Sequence, residues 1–205
     1  MRIKIDCNWH KCVDLGLPSG LLWATCNIGA KEPWENGLYF SWGNVDGHEK
    51  ESNYDFNNIV YQLTPGVWLT HGIPVDARYD AARANLGGSW RMPTLFDFTE
   101  LYDNCTKEWT TQNGVTGMMF MSWINGNSVF FPAAGCYHGT ILYSDGRDGR
   151  YWSSSVLSHA YYSHCLTFDS ISVVPQNYDN PFFGFTIRPV LEHPKDSLLI
   201  RTIKR

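Results

Sequence analysis

The chain of 205 residues lacks several features that would place it in a large functional class. It has no basic excess: 16 Lys and Arg stand against 20 Asp and Glu, for a net charge of −4. It therefore lacks the positive field that general nucleic-acid binding needs. There is no apolar run of about 18 residues to cross a membrane, no phosphate loop and no dinucleotide fingerprint. We expect no nucleic-acid partner, no membrane insertion and no cofactor.

A secretion signal, an internal repeat and a low-complexity segment are also missing. The first six residues, from Met1 to Asp6, are not followed by the apolar segment of a signal peptide. We therefore expect synthesis in the cytoplasm. A protein made in this way that works outside a cell leaves by lysis, by a non-classical route or as part of a particle.

Aromatic residues, by contrast, are abundant. Trp, Tyr and Phe make up 15% of the chain, together with 18 Gly and 10 Pro. This combination predicts one large, loop-rich domain built around aromatic anchors rather than long helices. The six cysteines could form three disulfides in 15 pairings, and no spacing selects among them. We predict mostly free, buried thiols.

The clearest local signal is a helix start in the middle of the chain. Pro93 forces Met92 toward extended geometry, Thr94 is a good N-cap, and Asp97 follows three residues later. An apolar stripe at helical spacing then follows: Leu95, Phe98, Leu101 and Tyr102. The pattern predicts a helix over about 94–104. An earlier helix is expected from a cap at Asp76 to Gly87-Gly88.

The later half of the chain is typical of strands. Asn125-Gly126 predicts a hairpin that joins 118–121 to 128–131. Further strands are predicted at 151–155, 160–168, 171–174 and 185–190, with Pro189 indicating an edge. Loops are expected at 110–116 and 176–183, and an exposed, glycine-rich segment at 136–150. Two short helices followed by a mainly antiparallel, loop-rich sheet define an α+β fold.

Six motifs occur in an order that resembles a known family. They are Val13–Gly20 with Trp23-Ala24-Thr25, then Tyr39–Gly43, Trp90–Thr94, Phe131–Gly135, Tyr151–Ser155 and Ile187–Val190. Together they resemble the Fibrobacter succinogenes major paralogous domain, which is abundant in gut Bacteroidetes and their phages. The resemblance implies a C-type-lectin-like fold over 13–190, in the branch of formylglycine-generating enzymes. It also implies a surface binding module, since related domains are variable receptor-binding proteins, including phage tail-tip proteins. Residues 1–12 and 191–205 are then an N-terminal attachment strand and a C-terminal tail.

The predicted recognition surface lies between the strands at 151–155 and 185–190. This segment is rich in Tyr, Asn and Ser, residues that combine rigid amphipathic area with versatile hydrogen bonding. Its candidate ligand-binding residues are Ser158, His159, Tyr161, Tyr162, His164, Asp169, Gln176, Asn177, Tyr178, Asp179, Asn180, Phe182 and Phe183. The alternative is that these aromatics pack on neighbouring chains or on residues 31–58.

The sequence supports a catalytic function less well than a recognition function. Formylglycine-generating enzymes use a cysteine pair with copper, but Cys136 and Cys165 lie in no matching motif, and the typical Asn-rich, Trp-containing segment is missing. His164 cannot easily activate Cys165, because adjacent strand residues point to opposite faces. Two carboxylate pairs invite a glycosidase interpretation, but each pair has a simpler role. Asp97 with Glu100 is explained as a helix cap and a solvated face, and Asp145 with Asp148 as turn residues.

The sequence gives equally little support for a metal site. The calcium triplets of sugar-binding C-type lectins are absent, and the Cys7–Cys12 segment with His10 has no standard zinc spacing. We predict a non-enzymatic recognition or structural module on a virion surface, or alternatively on a bacterial cell surface. It would contact a host surface protein or glycan and attach to other virion subunits or sister chains. A formylglycine-generating-type enzyme and a purely architectural decoration are the alternatives.

Overall fold

A computed structural model describes residues 10–50, 55–56, 78–157 and 162–192. Its elements, in chain order, are β1 Cys12–Asp14, β2 Leu22–Ala24, α1 Ala81–Leu86, β3 Trp90–Arg91, α2 Leu95–Asn104, β4 Cys105–Gln112, β5 Val115–Ser122, β6 Ser128–Pro132, β7 Cys136–His138, β8 Ile141–Tyr143, β9 Gly149–Val156, β10 Ser163–Phe168, β11 Val173–Asp179 and β12 Val190–Leu191. Two short helices and a majority of strands agree with the predicted α+β class. Of the predicted attachment strand at 1–12, residues 1–9 lie outside the described residues and Cys12 begins β1. Of the predicted tail at 191–205, residues 193–205 lie outside the described residues and Leu191 belongs to β12.

The strands form four antiparallel sheets, in the orders β1-β2-β12-β3, β11-β10-β9, β4-β5-β6 and β7-β8. The predicted edge at Pro189 is wrong, because β12 lies inside its sheet, where Val190 pairs with Trp23 on one side and Arg91 on the other. Pro189 comes just before this strand, where its missing N–H is tolerated, and its carbonyl accepts from Ala24 N at 2.9 Å. Of the strand predicted at 185–190, only Val190 belongs to a regular strand, β12.

Helix α2 begins as predicted. The Thr94 hydroxyl accepts from Asp97 N at 3.2 Å, and the Asp97 carboxylate accepts from Thr94 N at 2.7 Å, which completes a capping box. Phe98 and Leu101 are buried. Helix α1 starts later than expected, because its N-cap is Asp80 rather than Asp76, a position outside the described residues.

Three segments are more regular than their composition suggests. Most of the predicted loop at 110–116 belongs to β4 and β5, and only Asn113 and Gly114, both with positive φ, form the tight turn between them. The polar residues 176–179 belong to β11, because pairing with β10 overrides their weak strand propensity. The segment 136–150 is not simply exposed, since Cys136 and Tyr137 are buried. The hairpin predicted between β5 and β6 is confirmed.

Strand β9 lies between two hydrophobic clusters. Tyr151 belongs to one with Trp23, Phe98 and Phe131, whereas Trp152 belongs to the other and stacks on Phe185 at 4.0 Å. The motifs at 39–43, 90–94, 131–135 and 151–155 are hydrogen-bonded to one another. Tyr151 OH donates to Pro132 O at 2.7 Å, Trp152 Nε1 donates to Phe40 O at 2.8 Å, and Ser154 N donates to Pro93 O at 2.7 Å. The motif residues therefore hold the domain together.

A buried arginine crosses the same region. Arg188 has no exposed surface, and its guanidinium donates to Asn27 Oδ1 at 2.8 Å and to Phe130 O at 2.9 Å. It also donates to the carbonyl oxygens of Ala24, at 3.1 Å, and Thr25. Its positive charge lies 4.7 Å from the centre of the Phe131 ring. One side chain, two residues before β12, thus joins the end of β2 and the residues that follow it to β6.

The cysteines largely match the prediction of free thiols. Cys105, Cys136 and Cys165 are free and buried, and Cys26 is free and half-buried. Cys12 is disulfide-bonded.

Candidate functional site

Strands β10 and β11 carry half of the described candidate residues and divide them between two faces. Tyr178 pairs with His164, Asn177 with Cys165, and Asp179 with Ser163. Because successive side chains of a strand alternate, Tyr178 and His164 lie on one face, and Asn177 and Asp179 lie on the other.

The first face exposes two tyrosine rings side by side. Tyr178 is 51% exposed and Tyr162 is 40% exposed, and their ring centres are 5.5 Å apart in an edge-to-face arrangement. His164 is half-buried beside them, with Nδ1 3.3 Å from Asn177 O. We call Tyr162, His164 and Tyr178 the tyrosine face. It combines exposed aromatic area with hydroxyl and imidazole groups that can both donate and accept hydrogen bonds.

Three candidate residues adjoin this face in sequence but lie outside the described residues: Ser158, His159 and Tyr161. Leu157 N donates to Tyr162 O at 3.0 Å, so the two residues that flank this segment are held together.

The opposite face is occupied by internal interactions. Asp179 accepts from Arg150 at 3.1 Å, and Arg150 also contacts Asp148 at 3.3 Å. Burial raises the pKa of Asp179 above its usual range. Asn177 donates to the Thr167 hydroxyl at 3.0 Å. These side chains hold β9, β10 and β11 together, which leaves them less free to meet a ligand.

Asp169 lies apart from the tyrosine face, whereas Gln176 lies on the same side of β11 as Tyr178. Asp169 follows β10 and is five residues, or about 17 Å, from His164. Its carboxylate accepts from Ile171 N and Ser172 N, and these hydrogen bonds lower its pKa. It closes the β10–β11 turn. Gln176 donates to Thr99 of α2 at 3.0 Å, which anchors β11 to the helix.

The remaining candidates are Asn180, Phe182 and Phe183, and the two phenylalanines belong to a second aromatic group. Asn180 N donates to the Asp179 side chain at 2.9 Å. Phe182 and Phe183 are half-buried, and their ring centres lie 6.1 and 5.0 Å from that of His138 on β7. Tyr143 completes this group, with its ring centre 6.4 Å from that of His138. The predicted residues therefore form at least two separate surfaces.

One exposed apolar surface was missed by the sequence analysis. Trp123 is 64% exposed and Ile124 is 55% exposed in the loop between β5 and β6. The Lys107 ammonium lies 3.9 Å from the Tyr102 ring centre and 5.4 Å from that of Trp123. The Asn125-Gly126 turn predicted the hairpin, but sequence alone does not show that Trp123 points outward.

The candidate catalytic groups have structural partners. Cys136 and Cys165 are buried, and burial raises the pKa of both thiols, that of Cys136 to about 11. Asp97 caps α2, as predicted, whereas Glu100 accepts from the backbone and hydroxyl of Ser19 at 2.7 and 2.6 Å rather than being merely solvated. This contact joins α2 to the turn before β2.

Metal-ligating side chains do not cluster within the described ranges, where no three of them approach closely enough to hold an ion. Cys7, part of the segment weighed as a metal site, lies outside those ranges. No described helix has the length and apolar character to span a membrane. Comparison with protein-family models, curated proteins and solved structures finds no match to this chain.

Proposed function

We propose that this chain is a non-enzymatic recognition module with a C-type-lectin-like fold, displayed on a phage virion, that contacts a host surface protein or glycan. The motif resemblance supports the fold and the setting. The observation that carries the recognition role is the exposed tyrosine pair, Tyr162 and Tyr178.

A pair of exposed tyrosines suits binding for energetic reasons. An aromatic side chain can bury about 150–250 Å², so the exposed parts of the two rings offer roughly 200 Å². At about 25 cal/mol per Å², their burial would contribute at most about 5 kcal/mol before the costs of association. Tyrosine also loses little conformational entropy on binding and keeps a hydroxyl for hydrogen bonding.

The scaffold beneath the pair is rigid. Gln176 ties β11 to α2, and Asn177 ties it to β10. A binding face on paired strands positions its side chains more accurately than one on loops alone. These contacts support Tyr178 as a fixed anchor.

A purely architectural role is the second candidate, favoured by the exposed apolar residues Trp123 and Ile124 on another sheet. Exposed apolar patches mark protein contacts, so this loop would meet a neighbouring virion subunit. A formylglycine-generating activity has less support, because it requires accessible cysteine thiolates and Cys136 and Cys165 are buried with raised pKa values.

The test is binding of fluorescently labelled protein to a panel of gut Bacteroidetes cells, measured by flow cytometry. We expect Tyr178→Ala and Tyr162→Ala to reduce binding to a responsive strain by at least about tenfold. Trp123→Ala, which removes an equally prominent ring elsewhere, should leave binding unchanged. Pretreating the cells with protease or with periodate separates a protein receptor from a glycan.

Equal binding by the tyrosine variants and the parent protein would overturn the assignment of the tyrosine face. Loss of binding only in Trp123→Ala would instead place the host contact at the exposed Trp123.

A further inference from the structure

A cleft is present in a part of the molecule that does not include the residues of the tyrosine face. It has a volume of about 460 Å³ and is enclosed by residues 34–37, the β4–β5 turn and the turn after β8, with Lys50 at its side. This volume falls in the range of small-molecule sites, about 300–1,000 Å³. It shares no residue with the site proposed above.

The polar groups of this cleft are fixed by the protein core. Asp145 accepts from Asn36 Nδ2 at 2.9 Å and from the Lys50 ammonium at 2.5 Å. The same Asn36 amide lies 3.1 Å from the hydroxyl of Tyr39, which is completely buried and donates to Ala134 O at 2.7 Å. A continuous hydrogen-bonded chain thus runs from the core to the cleft, and it orients Asn36 and Asp145 before any ligand arrives.

These groups stay accessible at the same time. The side chain of Asp145 is 34% exposed and that of Lys50 is 49% exposed. A carboxylate has about four acceptor positions and an ammonium has three donors, so both groups can bind a ligand while still paired. Thr116 adds a hydroxyl to the wall.

Trp34 supplies the apolar part of the lining and is only half-buried. An indole ring that lines the same cleft as a carboxylate, an amide and an ammonium suits a ligand with an apolar C–H face and a rim of hydroxyls. Each hydroxyl both donates and accepts, which matches Asp145 as acceptor and Lys50 as donor.

Other ligand classes fit less well. An anionic ligand would meet Asp145 and Glu35, and the single ammonium is already paired with Asp145. A fully apolar ligand would desolvate Asp145 without returning a hydrogen bond, which is costly.

We propose that this cleft binds a neutral saccharide residue, held against Trp34 and hydrogen-bonded to Asp145, Asn36 and Lys50. No metal ion takes part. The site is separate from the tyrosine face, and the inference does not depend on the recognition role proposed for that face.

The test is saturation-transfer NMR of the intact chain with glucose, galactose, mannose, fucose, N-acetylglucosamine and N-acetylgalactosamine, each with and without EDTA. Glucuronic acid and sialic acid serve as anionic comparisons. We expect at least one neutral sugar to bind with a Kd of about 0.1–10 mM, unchanged by EDTA, and the anionic sugars to bind more weakly.

Trp34→Ala and Asp145→Ala should each weaken that affinity by at least about tenfold. Trp123→Ala, an exposed tryptophan outside the cleft, and Tyr178→Ala should leave the affinity unchanged. Thermal unfolding of every variant shows whether the fold is retained.

The proposal is overturned if no neutral sugar binds at about 20 mM, if EDTA abolishes binding, or if folded Trp34→Ala binds as tightly as the parent chain. Sugar binding that survives in Tyr178→Ala while cell binding is lost would separate the two sites. Loss of the cleft function alone would leave the tyrosine face untouched.

Discussion

Arg188 offers the sharpest test of how the domain is held together. Its guanidinium is fully buried and hydrogen-bonds to four oxygen atoms from separate chain segments. All four acceptors are amide or carbonyl oxygens, and none is a carboxylate. Burial accordingly lowers the pKa of Arg188. The change to consider is Arg188→Met, which keeps a long side chain but removes the charge and every donor.

Two opposing effects determine how much stability Arg188→Met loses. Hydrogen bonds from a charged donor contribute about 1.5–3 kcal/mol each, so four of them contribute roughly 6–12 kcal/mol. Removing the ion also removes its desolvation cost of several kcal/mol. We expect a net loss of about 3–5 kcal/mol in the free energy of unfolding, a large part of the roughly 5–15 kcal/mol typical of a domain.

Arg188→Lys should be at least as harmful. Lysine keeps the buried charge, but its compact ammonium cannot reproduce the planar fork that reaches all four oxygens. The exposed Arg147→Met is the matched control and should change stability by less than about 0.5 kcal/mol.

Urea unfolding followed by tryptophan fluorescence measures these differences, provided that the slope of the transition is unchanged. The reasoning is refuted if Arg188→Met lies within about 1 kcal/mol of the parent, or if Arg188→Lys is as stable as the parent.

Two further predictions concern buried titratable groups. Burial raises the pKa of Asp80, so its stabilising contribution is greatest below the unfolded-state pKa, near 3.8, and declines as the pH rises through its folded-state pKa. The stability advantage of the parent over Asp80→Asn, which retains a good N-cap, should therefore shrink as the pH rises from about 3 to about 6. Urea unfolding across this range checks it, and an advantage that grows with pH would contradict it. Among the free thiols of the described residues, half-buried Cys26 should react with iodoacetamide at about pH 8 in the native protein. Cys136, whose pKa burial raises to about 11, and buried Cys165 should react only after unfolding. Peptide mass mapping distinguishes these sites, and native labelling of Cys165 would show that its cluster opens.

The predictable elements were those with local causes. Helix α2 follows from Pro93, Thr94 and Asp97, because a cap and a capping box act within a few residues. The β5–β6 hairpin follows from Asn125-Gly126 for the same reason. The turn at Asn113-Gly114 carries a similar signal, but its polar surroundings favoured a loop, and the flanking strands became evident only from their pairing.

Composition could propose a candidate segment but could not assign its residues to surfaces. Composition selected residues 156–183, yet the register of β10 against β11 determines that Tyr178 points outward while Asp179 binds Arg150. A shift by one residue would exchange these faces. The cleft proposed to bind a saccharide was missed because residues 34–37 and 145 are distant in sequence, and Asp145 was interpreted only as a turn residue.

By itself, then, the sequence determined the α+β composition, the start of α2 and the β5–β6 hairpin, since each depends on neighbouring residues or on overall composition. The tertiary structure decided that β12 lies inside its sheet, that Arg188 is a buried junction, and which aromatic rings face solvent. These outcomes depend on contacts between distant segments, whose geometry is set only when the whole core packs.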